Sequence, residues 1–355
     1  MGIITPQFLF DLESNMRVIT ENEYARMMLR GNIWYDAVVK ERPSSSREEL
    51  LFWMLSTAQI VDEGKGGGTM RFEDMVTLMT RYENRDSGAG LEVPVNELSD
   101  LDGRGVMLAS KWSSDQGAMM AYWPQQATVA LLNAGEGTTL GAAYDSLAFF
   151  SKVHPLNPYR TSVGTYGNLF SGAYNGSSNP VYYAAPIDSS VTVDVALNNL
   201  GRVYAAIRAI KMPNGVTPRF LRPSRLLVPS ELVPRAQQLT NAKFIAQAAS
   251  SGGGSGDITS IVSNWGFKEP IEVQEWAGVD ATSWYVACEE IGPSELGAIV
   301  YQTREPYRIT YYTGQGGGTG VDAVLDRMKK LEWHNWGRNV AGYGHPFMLI
   351  KVKGS

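Results

Sequence analysis

Glycine-rich loops are the first candidates for chemistry in this sequence, because such loops can wrap the phosphates of a nucleotide. Three clusters are present, at residues 64–68, 252–256 and 314–320. A phosphate loop of the Walker type needs Gly-Lys followed by Ser or Thr, whereas the Gly-Lys step at Gly64 is followed by another glycine. We therefore expect these clusters to be flexible loops and not nucleotide sites.

A nucleophilic site would need a serine or cysteine beside a base that a third group orients. The G-x-S-x-G turn of many hydrolases is absent. Cys288, the single cysteine, stands in the apolar run Trp-Tyr-Val-Ala-Cys, where a buried and unreactive thiol is usual. His154 and His345 each precede a proline and are expected at turns, bonded to a backbone carbonyl. His334 lies between two tryptophans in a stretch that is expected to pack.

Metal sites are not indicated either. One cysteine and three histidines cannot form a zinc site of the usual kind without carboxylates, and His-Glu-x-x-His is absent. Asp86, Asp100 and Asp102 are close in sequence but lack the D-x-D-x-D-G frame of a calcium loop. We therefore predict no catalytic, cofactor-binding or metal-binding residues, and no enzymatic activity.

The composition favours a protein that buries surface against partners. Only 19% of the residues are charged, while there are 9 Trp and 17 Tyr, and interface cores are depleted in charge and enriched in aromatic residues. A net charge of −5 argues against a dedicated nucleic-acid binder. The sequence has no basic segment followed by an apolar run at its start and no apolar stretch near ~20 residues, so we expect no signal peptide and no membrane span.

The first quarter of the chain is predicted to form extensions. Residues 1–48 are predicted to be an arm, with a helix over Arg17–Leu29 and a polar linker at residues 42–46. Residues 49–95 alternate apolar and polar positions in places and predict a long hairpin that reaches away from a core. Glu48–Ile60 is equally compatible with a helix.

A long helix is predicted from about Asp115 to Asn133. Ser113 or Ser114 can cap its first turn, and Gly135 can end it. Pro124 lies inside this segment, removes one backbone hydrogen bond and predicts a kink or a later start.

Helices and short strands alternate irregularly in the rest of the chain, which is typical of an α+β fold and not of a doubly wound sheet. Residues 137–190 are expected to be irregular loops with short strands. Val195–Ile210 predicts a helix with one apolar face. Leu226–Val228 predicts a strand that breaks at Pro229, after which Ser230 opens another helix. Further strands are predicted at residues 271–276, 284–288, 298–301, 307–312 and 347–352.

Several short sequence motifs occur in a fixed order along the chain. They are a Y-x-P step, an aspartate, a Phe-Phe pair, a His-Pro step, an L-L-V-P-x-x-L turn and an R-x-x-x-G-Y-x-x-P segment, which stand at Tyr122–Pro124, Asp145, Phe149–Phe150, His154–Pro155, Leu226–Leu232 and Arg338–Pro346. In this order they resemble the major head subunit of Mu-like tailed phages, a branch of the HK97-type capsid fold. The Asp145–Ser146 step departs from the Asp-Gly expected there.

The resemblance implies a division of the chain into parts. These would be an N-terminal arm (residues 1–48), an extended loop (49–95), a first part of the peripheral domain (96–189) with a spine helix at about 115–133, an axial domain (190–323), and strands that return to the peripheral domain (324–355).

The resemblance also implies a function in assembly. The chain would be a structural major capsid protein that forms homo-pentamers and homo-hexamers and encloses double-stranded DNA without sequence-specific binding. Its partners would be a scaffolding protein, a portal and a decoration protein, with no membrane. Because the sequence starts at Met1, we expect no cleaved N-terminal segment and a scaffold that is a separate protein.

Three alternatives stay open at this point. An encapsulin-type nanocompartment shares the fold but encloses enzymes, and would form a small uniform shell with a groove for cargo peptides. A domesticated prophage or gene-transfer particle would use the same shell. A soluble enzyme would depend on His154, His334 or His345 for turnover.

Overall fold

The computed structural model describes residues 6–55, 76–99, 103–174, 181–241, 244–246, 257–259, 265–290, 297–311 and 330–354. The helices are α1 (Pro6–Arg30), α2 (Val95–Ser99), α3 (Arg104–Ala134), α4 (Val193–Arg208) and α5 (Val233–Asn241). The strands are β1 (Val39–Pro43), β2 (Glu48–Leu55), β3 (Val76–Glu83), β4 (Arg85–Pro94), β5 (His154–Pro155), β6 (Thr165–Tyr166), β7 (Leu169–Phe170), β8 (Leu221–Val228), β9 (Phe244–Ala246), β10 (Asp257–Thr259), β11 (Ile271–Glu272), β12 (Trp284–Glu290), β13 (Ile299–Tyr311), β14 (Lys330–Tyr343) and β15 (Leu349–Val352).

Two mixed sheets organise the fold. One has the strand order β1-β13-β14-β4, and the other has the order β11-β8-β12-β15-β7. The strand pairs β2–β3, β5–β6 and β9–β10 form small antiparallel ladders. Helices and strands are interspersed without a repeating βαβ unit, so the predicted α+β class is confirmed. No helix among the described residues is long and apolar enough to cross a bilayer.

The four-stranded sheet is built around β14, whose 14 residues span about 46 Å. Its side chains alternate between buried and half-buried along most of its length, as a strand with one covered face requires. Leu331 and Trp333 lie on the covered face and pack with Leu12 and Met16 of α1 in a separate small core. This sheet is therefore covered on one side by helices.

Helix α3 begins at Arg104, well before the predicted start at Asp115. Small buried residues recur at every fourth position of its first half and pack against α1; they are Gly105, Ala109, Ser113, Gly117 and Ala121. The predicted Ser113 cap is wrong, because its hydroxyl donates to the Ala109 carbonyl inside the helix at 2.8 Å. The predicted end at Gly135 is confirmed, and Pro124 is accommodated within the continuous helix.

Helix α1 covers Pro6–Arg30 and is longer than the predicted Arg17–Leu29. The backbones of α1 and α3 approach closely, since a Cβ built on Gly117 would lie 2.4 Å from the Thr20 carbonyl oxygen. The Thr20 hydroxyl also lies 3.0 Å from the Ser113 carbonyl oxygen. The small residues of α3 are thus what allows α1 to dock.

The larger core surrounds the five-stranded sheet. Helix α4 packs on β8 through Leu200, Val203 and Ile207, and its first turn is capped by the Thr192 hydroxyl, which accepts from the Val195 amide at 3.4 Å. The strand predicted at Leu226–Val228 is the end of β8, and Pro229 ends it as predicted. Ser230 opens a 3₁₀ turn, so the α-helix begins three residues later at Val233.

Four predicted strands have different bounds in the structure. Residues 271–276 contain only the two-residue β11, because a 3₁₀ turn follows and buries Trp276. The strands predicted at 298–301 and 307–312 are one strand, β13, whose pairing with β14 shifts around Glu305. Such a bulge tolerates Pro306, which has no backbone N–H to donate. Residues 346–348 form a 3₁₀ turn, and the last strand begins at Leu349.

The predicted hairpin is confirmed in part. Strands β2 and β3 pair antiparallel from Glu48↔Glu83 to Leu55↔Val76, so Glu48–Leu55 is a strand and not a helix. Strand β4 departs from the predicted hairpin, because it pairs with β14 in the four-stranded sheet. The glycine clusters at residues 64–68, 252–256 and 314–320 lie outside the described residues.

Candidate functional site

A buried polar pair occupies the region between α3 and the five-stranded sheet. The His154 Nδ1 atom lies 2.6 Å from the Asp145 Oδ2 atom, and both side chains are fully buried. The Nε2 atom of His154 lies 3.1 Å from the Phe149 carbonyl oxygen, so the predicted bond to a backbone carbonyl is confirmed. A pair buried in this way stabilises the loop that carries it and offers no face to a substrate.

The turn that positions Asp145 has an unusual backbone. Ser146 adopts a φ of 64°, in the left-handed region that glycine enters without strain. The Ser146 amide donates to the Ala143 carbonyl at 3.0 Å, and the Leu147 amide donates to Asp145 Oδ1 at 3.2 Å. The serine in the Asp145–Ser146 step therefore stands where a glycine would fit at lower cost.

Asn168 connects this centre to the end of the chain. Its Nδ2 atom lies 2.8 Å from the Phe149 carbonyl oxygen, 3.0 Å from that of Pro346 and 3.2 Å from that of Leu349. Its Oδ1 atom accepts from the Ser151 amide at 2.8 Å. The sequence analysis missed this residue, because a single asparagine in a polar loop region carries no pattern that distinguishes it.

Tyr343 joins the same centre from β14. Its ring stacks on Phe149 with 4.8 Å between ring centroids, and its hydroxyl donates to the Leu131 carbonyl of α3 at 2.8 Å. The Tyr82 hydroxyl donates to the Tyr343 carbonyl at 2.6 Å, and a Cβ on Gly342 would lie 2.3 Å from the Tyr82 ring. Most of the residue blocks that carry the resemblance thus meet in one buried centre.

The other two histidines and the cysteine lie in different surroundings. His345 is buried with its ring 5.1 Å from that of Phe347, and burial, followed by the nearby Arg219 and Arg42, lowers its pKa to about 3. His334 is partly exposed in β14, with its Nε2 atom 3.8 Å from Glu332. Cys288 is buried in β12, and burial raises the pKa of its thiol well above the ordinary value, as expected of an unreactive cysteine.

The three aspartates that are close in sequence are only partly within the described residues. Asp86 lies in β4 and pairs with Arg338 at 3.1 Å. Asp100 and Asp102 lie outside the described residues. The described ranges hold no group of three or more His, Cys, Asp or Glu side chains placed to bind a metal ion.

An open groove lies between α3 and the edge of the four-stranded sheet. We call it the α3–β4 groove; it has a volume of 430 Å³ and is lined by Asp86, Ser87, Gly88, Ala89, Gln116, Met119, Met120, Trp123, Tyr307 and Asn335. A second cavity of 690 Å³ shares Ser87 and Trp123 with it and continues along α3 towards Leu140. Together they form an elongated and largely apolar surface.

Large apolar side chains are also exposed on the extensions of the chain. Phe10 and Leu29 of α1 are 67% and 86% exposed, and Leu50 and Met79 of the β2–β3 hairpin are 48% and 57% exposed. Leu50 and Met79 are diagonal neighbours in the hairpin, and contiguous exposed apolar groups of this kind mark surfaces for partners, whereas Phe10 and Leu29 lie near opposite ends of α1. The described residues therefore combine a polar pair enclosed by the core with apolar side chains exposed on α1 and on the hairpin.

Comparison with known families identifies the chain. The profile of the family described as phage capsid protein matches residues 126–337, which is more than half of the sequence. The chain belongs to the phage capsid protein family. The match includes the last nine residues of α3, the buried Asp145–His154 pair and the first eight residues of β14. A comparison with curated proteins found no match for this capsid protein.

A solved structure agrees in fold, and others show a weaker similarity. The capsid of the cyanophage P-SCSP1u superposes with a TM-score of 0.50 at 12% identity, over 90% of this chain and 88% of that one. The procapsid of bacteriophage JBD30 gives a TM-score of 0.46 at 13% identity, over 99% of this chain and 77% of that one. A virus-like particle from Pyrococcus furiosus gives a TM-score of 0.45 at 9% identity, over 96% of this chain and 98% of that one. The predicted HK97-type capsid fold is confirmed.

Proposed function

We propose that this capsid protein is the structural major capsid protein of a tailed phage. Many copies form pentamers and hexamers that close into an icosahedral head around double-stranded DNA. The observation that carries the proposal is the family match over residues 126–337 in a chain with an HK97-type fold. The contacts between copies are heterologous, since the same chain must close rings of five and of six subunits.

The proposed parts of the subunit keep the boundaries drawn from the sequence. Residues 1–48 act as the N-terminal arm, 49–95 as the extended loop, 96–189 and 324–355 as the peripheral domain, and 190–323 as the axial domain. The packing of α3 against β14 supports joining 96–189 with 324–355 in one part, whereas β1, β4 and β13 of the same sheet fall within the other three parts. The spine helix of the proposal is α3, and the extended loop contains the β2–β3 hairpin.

A purely structural function without catalysis and without cofactors is part of the proposal. The polar groups that could act on a substrate, His154 and Asp145, are enclosed by the core. Membership of the Mu-like branch is proposed as well, and the meeting of Asp145, Phe149, His154 and Tyr343 at one centre supports it. A scaffolding protein, a portal and a decoration protein are proposed as partners, with assembly in the cytoplasm of a bacterial host.

Negative-stain electron microscopy of the purified chain, with size-exclusion chromatography, tests the proposal. We expect closed shells, tubes, or rings of five or six subunits. A monodisperse monomer or dimer at every concentration, even with a scaffold supplied, would contradict it. A small uniform shell that encloses enzymes would replace the phage head with a nanocompartment.

A further inference from the structure

The α3–β4 groove has aromatic walls that are held in place by the fold. The Tyr307 hydroxyl lies 2.5 Å from the Ser87 hydroxyl, and the Trp123 Nε1 atom donates to Asn339 Oδ1 at 3.3 Å. A Cβ on Gly337 would lie 3.0 Å from the Tyr307 ring, so this ring packs closely on β14. Because the polar atoms of both aromatic residues bond to other protein groups, their rings offer apolar surface to the groove.

The groove has the size and the lining of a site for a small molecule. Its volume of 430 Å³ falls within the range of about 300–1,000 Å³ that is usual for such sites. Met119 and Trp123, which line it, are 45% and 37% exposed, so apolar surface remains for a ligand to cover. Methionine adapts its shape to the group it contacts, and tryptophan contributes strongly to binding when it becomes covered.

A buried polar atom points to a ligand in this groove. Asn335 is 2% exposed and lines the groove beside Gln116, and its Nδ2 atom donates to Gln116 Oε1 at 3.0 Å. Its Oδ1 atom is buried without a hydrogen-bond partner, and among the described lining residues no other side chain has such an atom. An unsatisfied buried acceptor is costly, so a ligand that donates a hydrogen bond to it gains affinity.

The charge of the groove selects a neutral ligand. Of the described residues that line it, Asp86 alone is charged, and the Arg338 Nε atom lies 3.1 Å from its carboxylate. A charged ligand would lose hydration in this groove without gaining an unpaired partner of opposite charge. The ligand that fits is therefore neutral, largely apolar, and equipped with one N–H or O–H group.

We propose that the α3–β4 groove binds a small neutral aromatic molecule with one hydrogen-bond donor. The aromatic ring packs against Trp123 and the methionines of α3, and the donor bonds to Asn335 Oδ1. The site does not depend on the proposed assembly, because its lining residues all belong to one copy of the chain. Indole is a suitable probe, since it is a flat aromatic molecule with a single N–H group.

The first test compares two probes by equilibrium dialysis against the purified chain. Indole and 1-methylindole share the same ring system, but 1-methylindole lacks the N–H donor. We expect saturable binding of about one indole per chain and an affinity about fivefold weaker for 1-methylindole, because Asn335 Oδ1 then stays unsatisfied. Absence of saturable binding, or equal affinity for the two probes, would overturn the proposal.

The second test removes the acceptor. Asn335→Leu should lower the affinity for indole about fivefold and abolish the preference for indole over 1-methylindole. A preference that survives in this variant would place the bound probe elsewhere and overturn the proposal. If Asn335→Leu does not fold, the two probes and the methionine variants that follow decide the matter.

The third test changes the apolar wall. Met119→Asp should lower the affinity for both probes at least about tenfold, because it places a charge where the ring packs. Met107→Asp is the matched control, since Met107 lies on the same helix outside the groove and is 70% exposed. It should change either affinity less than about twofold, and both variants should keep the circular dichroism spectrum of the original chain. Equal affinities of the two variants for indole would contradict the site.

Discussion

Single polar residues set the arrangement of the protein's interior. Asn168 holds three carbonyl groups from two distant parts of the chain, while His154 and Asp145 fix the loop that Asn168 faces. Buried polar groups of this kind contribute little when satisfied but cost much when one partner is removed. The stability of the core should therefore respond strongly to a few polar substitutions.

Asn168→Ala should lower the free energy of unfolding by about 3 kcal/mol, because it leaves several buried carbonyl groups without a donor. Asn199→Ala is the matched control, since Asn199 donates once, to the Pro186 carbonyl, from a half-buried position. Its cost should be about 1 kcal/mol. Urea denaturation followed by tryptophan fluorescence measures both. Equal costs for the two variants would contradict the role given to Asn168.

His345 should make the stability dependent on pH. Well above pH 6.5 the imidazole is neutral in the folded and unfolded chains, so His345 does not reduce the free energy of unfolding. As the pH falls, the unfolded chain takes up a proton that the folded chain excludes until about pH 3, so the free energy of unfolding declines. The loss from this group is about 2 kcal/mol at pH 5.

The measurement compares urea midpoints at pH 7.5 and pH 5. Between these two pH values the urea midpoint of His345→Gln should fall less than that of the original chain. The midpoint of His334→Gln, which changes a partly exposed site, should fall as much as that of the original chain. Identical declines in all three proteins would show that burial of His345 does not govern the response.

At the scale of elements, the docking of α1 on α3 depends on small side chains. Gly117 lies against the backbone of Thr20, and the other small residues of the same face are buried too. This face is also why α3 extends to Arg104, since packing against α1 outweighs the weak helix propensity of glycine and serine.

Gly117→Ala should weaken this docking, because its Cβ would lie 2.4 Å from a backbone oxygen that cannot move alone. We expect a loss of about 1–3 kcal/mol and faster proteolysis within α1. Gly201→Ala in α4 is the control, since its Cβ would meet only the Trp265 ring at 3.4 Å. The free energy of unfolding of this control variant should stay the same or rise by up to about 1 kcal/mol. Comparable losses in both variants would contradict the close packing of α1 on α3.

The sequence predicts a helix or strand correctly where local residue patterns determine its bounds. The apolar period of α4, the Pro229 break and the Gly135 end are local signals, and each is found near its predicted place. The start of α3 and the continuity of β13 past Pro306 depend on partners far away in the sequence, so local patterns placed both wrongly. The α3–β4 groove was not predictable for the same reason, because Asn335, Tyr307 and Ser87 meet only in the folded sheet.

At the scale of the whole molecule, the balance of charge bears on the proposed enclosure of DNA. The net charge is −5, so the chain as a whole does not attract phosphate groups. A shell wall that holds its contents without binding them tightly leaves the genome free to move.

We expect the purified chain to bind a short DNA duplex more weakly than about 10⁻⁴ M at 200 mM salt, with a shallow dependence on salt. Fluorescence anisotropy at 50 and 200 mM NaCl measures this. Micromolar binding with a steep dependence on salt would mean that the wall contains a cationic surface for DNA.

The order of the strands in the larger core has a consequence for how the protein is made. Strand β15, Leu349–Val352, is fully buried between β12 and β7, although it is the last strand along the described chain. The sheet cannot be completed until the ribosome has translated residue 352. Chains released early by a stalled ribosome would lack an inner strand of this sheet. The topology thereby makes translation through residue 352 a condition for completing this sheet.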